Sequence, residues 1–218
     1  MIQGIIFDMD GVLCDSEPFI TQAAVALFRE RHGVAVQGDD FLPFTGMGEN
    51  RFLGGVAERY GVRLDLETDK AFTYARYLDL ISGRLQPLSG VAAFIAQCRR
   101  MGWRLAVASS ADRVKVDGNL AELGFGGTAF DAVIDGSQVA RKKPAPDLFL
   151  LAAAQLGLEP AGCVVFEDAV AGVQAAGAAG MRAIGVRGAF DDARLRAAGA
   201  AATVNDLTEA AEALARLG

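Results

Sequence analysis

The chain has 218 residues, 52% of them hydrophobic and 22% charged, and a net charge of −6. Such a length holds one large domain or two modest ones around a real core, and the composition is that of a globular chain. With 21 Lys and Arg against 27 Asp and Glu, and no basic run, nucleic acid is disfavoured as a partner, and no apolar run approaches the roughly 18 residues of a membrane helix.

The N-terminus, Met1-Ile2-Gln3-Gly4, lacks a basic segment and runs directly into an apolar stretch. The expectation is a protein without a secretory signal, cytoplasmic and monomeric. Cys14, Cys98 and Cys163 are odd in number and far apart, with no C-x-x-C or Cys/His spacing, so free thiols are expected. An acidic protein that takes an anionic substrate needs local positive charge, since like charges 4 Å apart repel by ~1 kcal/mol in water and several-fold more in a low-dielectric site.

Taken in chain order, Ile5-Ile6-Phe7 reads as a short buried strand. Asp8 and Asp10 follow at its C-terminal end, and strand alternation would point both the same way if the strand continued. Gly11 then frees the backbone to turn. Pro18 suits the first turn of a helix that runs to about His32, with Ser16 as its N-cap, Ala23, Ala24, Leu27 and Phe28 on one face, and Gly33 ending it. Between there and residue 82 only helices are expected, over 39–44, 49–60 and 65–81. Beyond residue 87 strand and helix alternate. A helix over 89–101 buries Val91, Phe94, Ile95 and Cys98; a strand over 105–108 ends at Ser109; a helix covers 113–123 and a short strand 132–134. The rigid loop Lys142-Lys143-Pro144 precedes a helix over 147–156. A strand over 163–166 ends at Glu167-Asp168, followed by a small-residue helix over 170–179, a strand over 181–186 and a closing helix over 207–217. This alternation predicts an α/β fold: a doubly wound parallel sheet with right-handed crossovers and a small inserted α-helical cap. The catalytic core is expected from 1–15 and 83–218, and the cap from 16–82.

In an open parallel sheet, ligands bind beyond the carboxyl ends of the strands. Asp8 with Asp10, Ser109, Lys143 and Glu167 with Asp168 therefore converge along one edge. Each has a plainer reading alone: D-x-D occurs in turns, a serine caps a strand end, two lysines form a solvated pair, and two acids suit a helix N-terminus. The set in this order is another matter, and its carboxylate oxygens suit Mg²⁺. Asp8-Met9-Asp10-Gly11-Val12-Leu13, Ser109, Lys143-Pro144 and Glu167-Asp168 resemble the four motifs of the haloacid dehalogenase superfamily, through the whole chain. A cap between the first and second motifs resembles the β-phosphoglucomutase-like branch. The resemblance implies that Asp8 attacks phosphorus and forms an aspartyl-phosphate, and that Asp10 serves the leaving oxygen and then water as acid and base. It implies that Mg²⁺ is held by Asp8, the carbonyl of Asp10 and Asp168, with Glu167 near, and that Ser109 and Lys143 hold the phosphoryl oxygens. It also suggests a cis Lys143-Pro144 bond. Ala169 stands where many related chains carry Ser.

The one histidine, His32, reads as structural at a helix end, which argues against histidine triads and His-ligated zinc. Trp103 and the phenylalanines read as core, and Cys14 as a small buried hydrophobe. The cap loop Thr45-Gly46-Met47-Gly48-Glu49-Asn50-Arg51 is either an ordinary helix–helix turn or a substrate-facing loop that excludes water on closure. The mutases resembled carry an arginine in this loop for a second phosphate; this chain has Glu49, which would repel one. Glu49, Arg51 and Arg113 are the remaining candidate substrate contacts, with Lys115 as a further substitute for the missing arginine, although a solvated helix face explains Arg113 and Lys115 equally well. The expected activity is Mg²⁺-dependent hydrolysis of a small phosphorylated metabolite, such as a sugar phosphate. Alternatives are a phosphosugar mutase, a metal-independent dehalogenase that Asp10, Glu167 and Asp168 argue against, and a non-catalytic binding protein.

Overall fold

The computed structural model describes residues 1–127 and 129–217. Among these, six parallel strands form one sheet: β1 (Gly4–Phe7), β2 (Arg104–Ala108), β3 (Ala132–Ile134), β4 (Cys163–Glu167), β5 (Arg182–Val186) and β6 (Ala202–Val204). Their order across the sheet is β3-β2-β1-β4-β5-β6. From the central β1 the chain winds outward to one side through β2 and β3, then returns to the other side through β4, β5 and β6. The reversal falls between β1 and β4, where a doubly wound sheet opens its crevice.

β1 is buried along its whole length because both faces are covered. Phe7 and Ile5 join one apolar cluster and Ile6 the other. The Phe7 ring stacks on Phe166 at 5.7 Å between centroids and meets Phe94 edge-on at 6.0 Å, contacts that add to area burial. The second cluster is rich in small residues, with Ala175 and Ala176 of α7 (Val170–Ala178) against the sheet.

Between β1 and β2 the described chain holds helices only: α1 (Glu17–His32), a 3₁₀ segment (Gly38–Phe44), α2 (Glu49–Tyr60), α3 (Leu66–Ile81) and α4 (Val91–Arg100). Leu27, Phe28, Phe41, Phe52 and Tyr77 from this insertion are continuous with the core on the Phe7 face of the sheet. Gly33 ends α1 in the left-handed conformation at φ 66°, which glycine adopts without a Cβ penalty. The side chain of Asp65 caps α3 by accepting from the backbone N–H groups of Glu67 and Thr68. His32 meets Asp69 at 3.1 Å and lies beside the Phe28 ring, a structural placement. The remaining helices are α5 (Arg113–Glu122), α6 (Asp147–Leu156), α8 (Asp192–Ala197) and α9 (Ala210–Ala215).

Several boundaries depart from the sequence reading. The first strand stops at Phe7, so loop geometry rather than strand alternation places Asp10. Ser16 stands at the N-cap position of α1, but its hydroxyl makes no capping hydrogen bond and donates to Asp10 instead. The closing helix is split into a 3₁₀ turn (Leu207–Glu209) and the short α9. β6 and α8 lie where no element was expected.

Candidate active site

Three strand ends, those of β1, β2 and β4, and the loop before α6 supply the site. Asp8 follows β1 and its backbone N–H donates to Phe166 O at 2.9 Å, which ties it to β4 across the switch point. From Met9 the chain curls back: Leu13 N–H donates to Met9 O at 2.8 Å and Gly11 N–H to Cys14 O at 2.8 Å. Gly11 sits at φ 76°, and a Cβ there would stand 2.2 Å from Asp168 Oδ2. The turn therefore requires glycine for its dihedral and for the approach of Asp168 to the loop backbone. Ser109 follows β2, buried, its Oγ accepting from Ala111 N–H at 3.1 Å. Lys143 comes from the loop before α6, next to a cis bond to Pro144. Glu167 is the last residue of β4 and Asp168 the next.

Lys143 is the electrostatic centre. Its Nζ donates to Asp8 Oδ1 at 2.5 Å, to Glu167 Oε2 at 2.7 Å and to Ala108 O at 3.3 Å, and it lies 5.0 Å from the Phe149 ring centroid. Burial opposes the charge of this ammonium, but Asp8 and Glu167 hold it protonated, well above the usual lysine range. Glu167 is fixed from its other side by the Ala169 N–H at 3.1 Å and lies against Gly172, where a Cβ would come within 1.9 Å of the carboxyl carbon.

One lysine does not balance this set. The carboxylate oxygens of Asp8, Glu167 and Asp168 lie within 4.8 Å of one another. Burial first, and repulsion from Glu167 second, push Asp8 up to about 7 against the pull of Lys143. The same two causes, with Asp8 added, hold Asp168 well above the carboxylate range. Crowded, largely buried, oxygen-only donors, two of which, Asp8 and Asp168, resist ionisation, are what a small hard divalent cation satisfies, so the residues present fit one.

Asp10 is held differently. The Ser16 hydroxyl donates to its Oδ1 and Lys115 Nζ to its Oδ2, the latter at 2.9 Å. Lys115 reaches there from α5 and is only 3% exposed. Burial opposes its charge, but Asp10, Glu17 and Glu49 raise it well above the usual range. Burial also pushes Glu17 up to about 7 and raises Glu49. Glu49 opens α2, is buried, and accepts from the Asp112 N–H at 3.3 Å.

The carboxyl groups and lysines of both clusters border one cavity of about 800 Å³, between the sheet edge and the helical insertion. It is lined by Asp8, Asp10, Ser109, Lys143, Glu167 and Asp168, and also by Glu49. Arg51 and Arg113 are not brought to it. Arg51 pairs with Glu58 at 2.9 Å and covers the Phe44 ring at 5.0 Å; Arg113 pairs with Asp117 and Asp135. Lys115, weighed in the sequence only as a stand-in for an arginine or as part of a solvated face, is instead buried on Asp10. Its spacing offers a signal: Val116, Asn119 and Leu120 of the same helix are buried, and Lys115 lies on that face.

A family model for haloacid dehalogenase-like hydrolases matches residues 2–180. The fructose-1-phosphate phosphatase YqaB of Escherichia coli is 34% identical, over 84% of this chain and 96% of its own. The solved structure of CbbY from Rhodobacter sphaeroides in complex with phosphate superposes with a TM-score of 0.84 at 28% identity, over 96% of both chains. The chloroplastic protein SUPPRESSOR OF QUENCHING 1 of Arabidopsis thaliana is 45% identical over 94% of this chain, which spans only 20% of that longer protein. The chain belongs to the haloacid dehalogenase-like hydrolases, in their β-phosphoglucomutase-like branch.

Proposed function

We propose that this phosphoric monoester hydrolase is a Mg²⁺-dependent phosphatase of small phosphorylated sugars or polyols, working through an aspartyl-phosphate. Residues 1–15 and 83–218 form its catalytic core and 16–82 its cap. The observation that carries the reading is the largely buried cluster of Asp8, Lys143, Glu167 and Asp168 at the switch point of the sheet, facing a cavity of about 800 Å³.

In this reading a carboxylate oxygen of Asp8 attacks phosphorus, a bond forms between them, and the bond from phosphorus to the ester oxygen breaks. A proton from Asp10 goes to the departing oxygen. Water then attacks phosphorus, its proton returns to Asp10, and the bond to Asp8 breaks, which restores both residues. Lys143, already on Asp8, meets the phosphoryl oxygens together with Ser109. Asp8, Asp168 and the carbonyl of Asp10 would hold the cation, with Glu167 near, and the bound ion would offset the negative charge of the phosphoryl group. Glu167 helps keep Lys143 in place on Asp8. Ser16 and Lys115 fix the Asp10 carboxylate by both oxygens. The helical cap excludes water from the reacting centre.

The sugar class draws support from the relatives, one of which is a fructose-1-phosphate phosphatase. Hydrolysis rather than phosphoryl return to the sugar is favoured by Glu49, a buried carboxylate on the cavity wall where a mutase must hold a second phosphate. The free, buried state of Cys14, Cys98 and Cys163 agrees with a reducing, cytoplasmic setting. The test is release of inorganic phosphate from a panel of phosphorylated metabolites with and without Mg²⁺. Turnover that needs Mg²⁺ and is removed by EDTA is expected; turnover that survives EDTA would contradict the reading.

A further inference from the structure

Lys143 and Lys115 border the cavity, and both are engaged: Lys143 with Asp8 and Glu167, Lys115 with Asp10. Arg187, at the rim, faces Glu209 at 4.0 Å. Among the described residues, every lysine and arginine that lines the cavity already faces a carboxylate. Beyond the phosphoryl-handling cluster the lining adds five more acids, Asp15, Glu17, Asp39, Glu49 and Asp206. A second dianion on the substrate would enter a wall crowded with carboxyl groups and with no unengaged cation among the described residues to offset it, which selects against it.

The same wall suits hydroxyls. Glu17, Glu49 and Lys115 all line it, and the two carboxyl groups stand close enough to Lys115 for their charges to act on it, so acceptors and a donor lie together. Ser110 borders the cavity, is more than nine-tenths buried, and its Oγ has no hydrogen-bond partner. A buried hydroxyl without a partner is costly and calls for one. Two residues on, the Asp112 N–H holds Glu49 Oε2, which ties the Ser110 loop to the cap side of the wall. Sugar and polyol hydroxyls donate and accept at once, as this mixed set demands.

We infer that Glu17, Glu49, Lys115 and Ser110 form a leaving-group subsite that selects an uncharged, hydroxyl-rich alcohol and rejects any substrate with a second phosphate. This rests on the phosphatase reading and narrows it: Glu17 and Glu49 are specificity-determining residues, and the product is a neutral polyol or sugar.

The experiment compares kcat/KM of the full-length protein with Mg²⁺ on sorbitol 6-phosphate, fructose 1-phosphate and fructose 1,6-bisphosphate, with p-nitrophenyl phosphate as a reporter of phosphatase chemistry alone. The best polyol or sugar monoester should exceed the bisphosphate by roughly a hundredfold. Glu49→Gln and Glu17→Gln should each reduce that ratio by about fivefold or more, chiefly by lowering KM for the bisphosphate, while Glu49→Asp keeps it. Should one variant fail to fold, as read by circular dichroism, the other and the wild-type ratio carry the test. Equal use of bisphosphate and monoester overturns the inference. So does a ratio unmoved in the folded variants, or a failure on all three sugar esters while p-nitrophenyl phosphate is still hydrolysed; each leaves the phosphatase reading standing. A wild-type protein inert on p-nitrophenyl phosphate overturns that reading and this inference with it.

Discussion

Gly172 shows how little room surrounds the reacting groups. It lies in α7, and a methyl group there would stand 1.9 Å from the carboxyl carbon of Glu167, the residue that holds Lys143 on Asp8. Gly172→Ala should cost about 1–3 kcal/mol through overpacking and lower turnover as Lys143 shifts. Urea unfolding checks the first effect, and an unchanged midpoint would contradict it. Asp10 carries a second expectation. With Asp10→Asn, substrates with good leaving groups should still phosphorylate Asp8, but water loses its base, so labelled aspartyl-phosphate should accumulate under rapid quench; its absence counts against that role for Asp10. At this scale the residue types of the cluster were legible before the fold, because aspartate pairs, a hydroxyl and a lysine at strand ends are chemically unusual. The partners of Asp10 were not. Ser16 looked like a helix cap and Lys115 like a solvated residue, because local pattern cannot report a contact that spans 105 residues in sequence.

At the scale of the element, α1 begins inside the cavity with Glu17, whose carboxyl is pushed up to about 7 by burial and by neighbouring carboxylates, against the pull of Lys115. A carboxyl whose folded pKa exceeds its unfolded value binds more protons in the folded state, so its contribution to stability is lost as pH rises between about 4.5 and about 7. Glu17→Gln should therefore flatten the fall of thermal midpoint across that window. Parallel melting curves at several pH values check this, and an identical slope in both proteins would contradict it. The elements that sequence patterning recovered are those with long apolar faces, such as α1, α2 and α6, and strands buried on both faces, such as β1 and β4. It missed β6 and α8. β6 is Ala202-Thr203-Val204, at the sheet edge within an alanine-rich stretch with no contrast to read, and α8 has six residues with a single buried one, Leu195. Both are made by tertiary pairing to β5 rather than by local preference.

At the scale of the whole molecule, the helical cap and the sheet edge are joined by a few polar contacts around the cavity. Lys70 of α3 pairs with Asp112, the Tyr77 hydroxyl donates to Asn119 Oδ1, and the Asp112 N–H reaches Glu49. The Lys70–Asp112 pair is about one-fifth exposed and contributes roughly 0.2–1 kcal/mol, less at high salt. Lys70→Met should then raise KM by up to about fivefold with little change in kcat at saturation, and the difference should shrink in high salt; a KM equal to wild type at low salt would contradict this. Cation binding belongs to the same scale, because the crowded carboxylates join β1 to β4. Mg²⁺ should raise the thermal midpoint, and Asp168→Asn should weaken that rise; a midpoint indifferent to Mg²⁺ in the wild type would count against the proposed site. The central claim is that Asp8 is the nucleophile. Phosphate release by wild type and Asp8→Asn, measured side by side with Mg²⁺ on the best substrate and on p-nitrophenyl phosphate, tests it most directly. The account predicts turnover in the wild type and a loss of about a thousandfold or more in a variant that melts cooperatively; comparable turnover in the two proteins would contradict it.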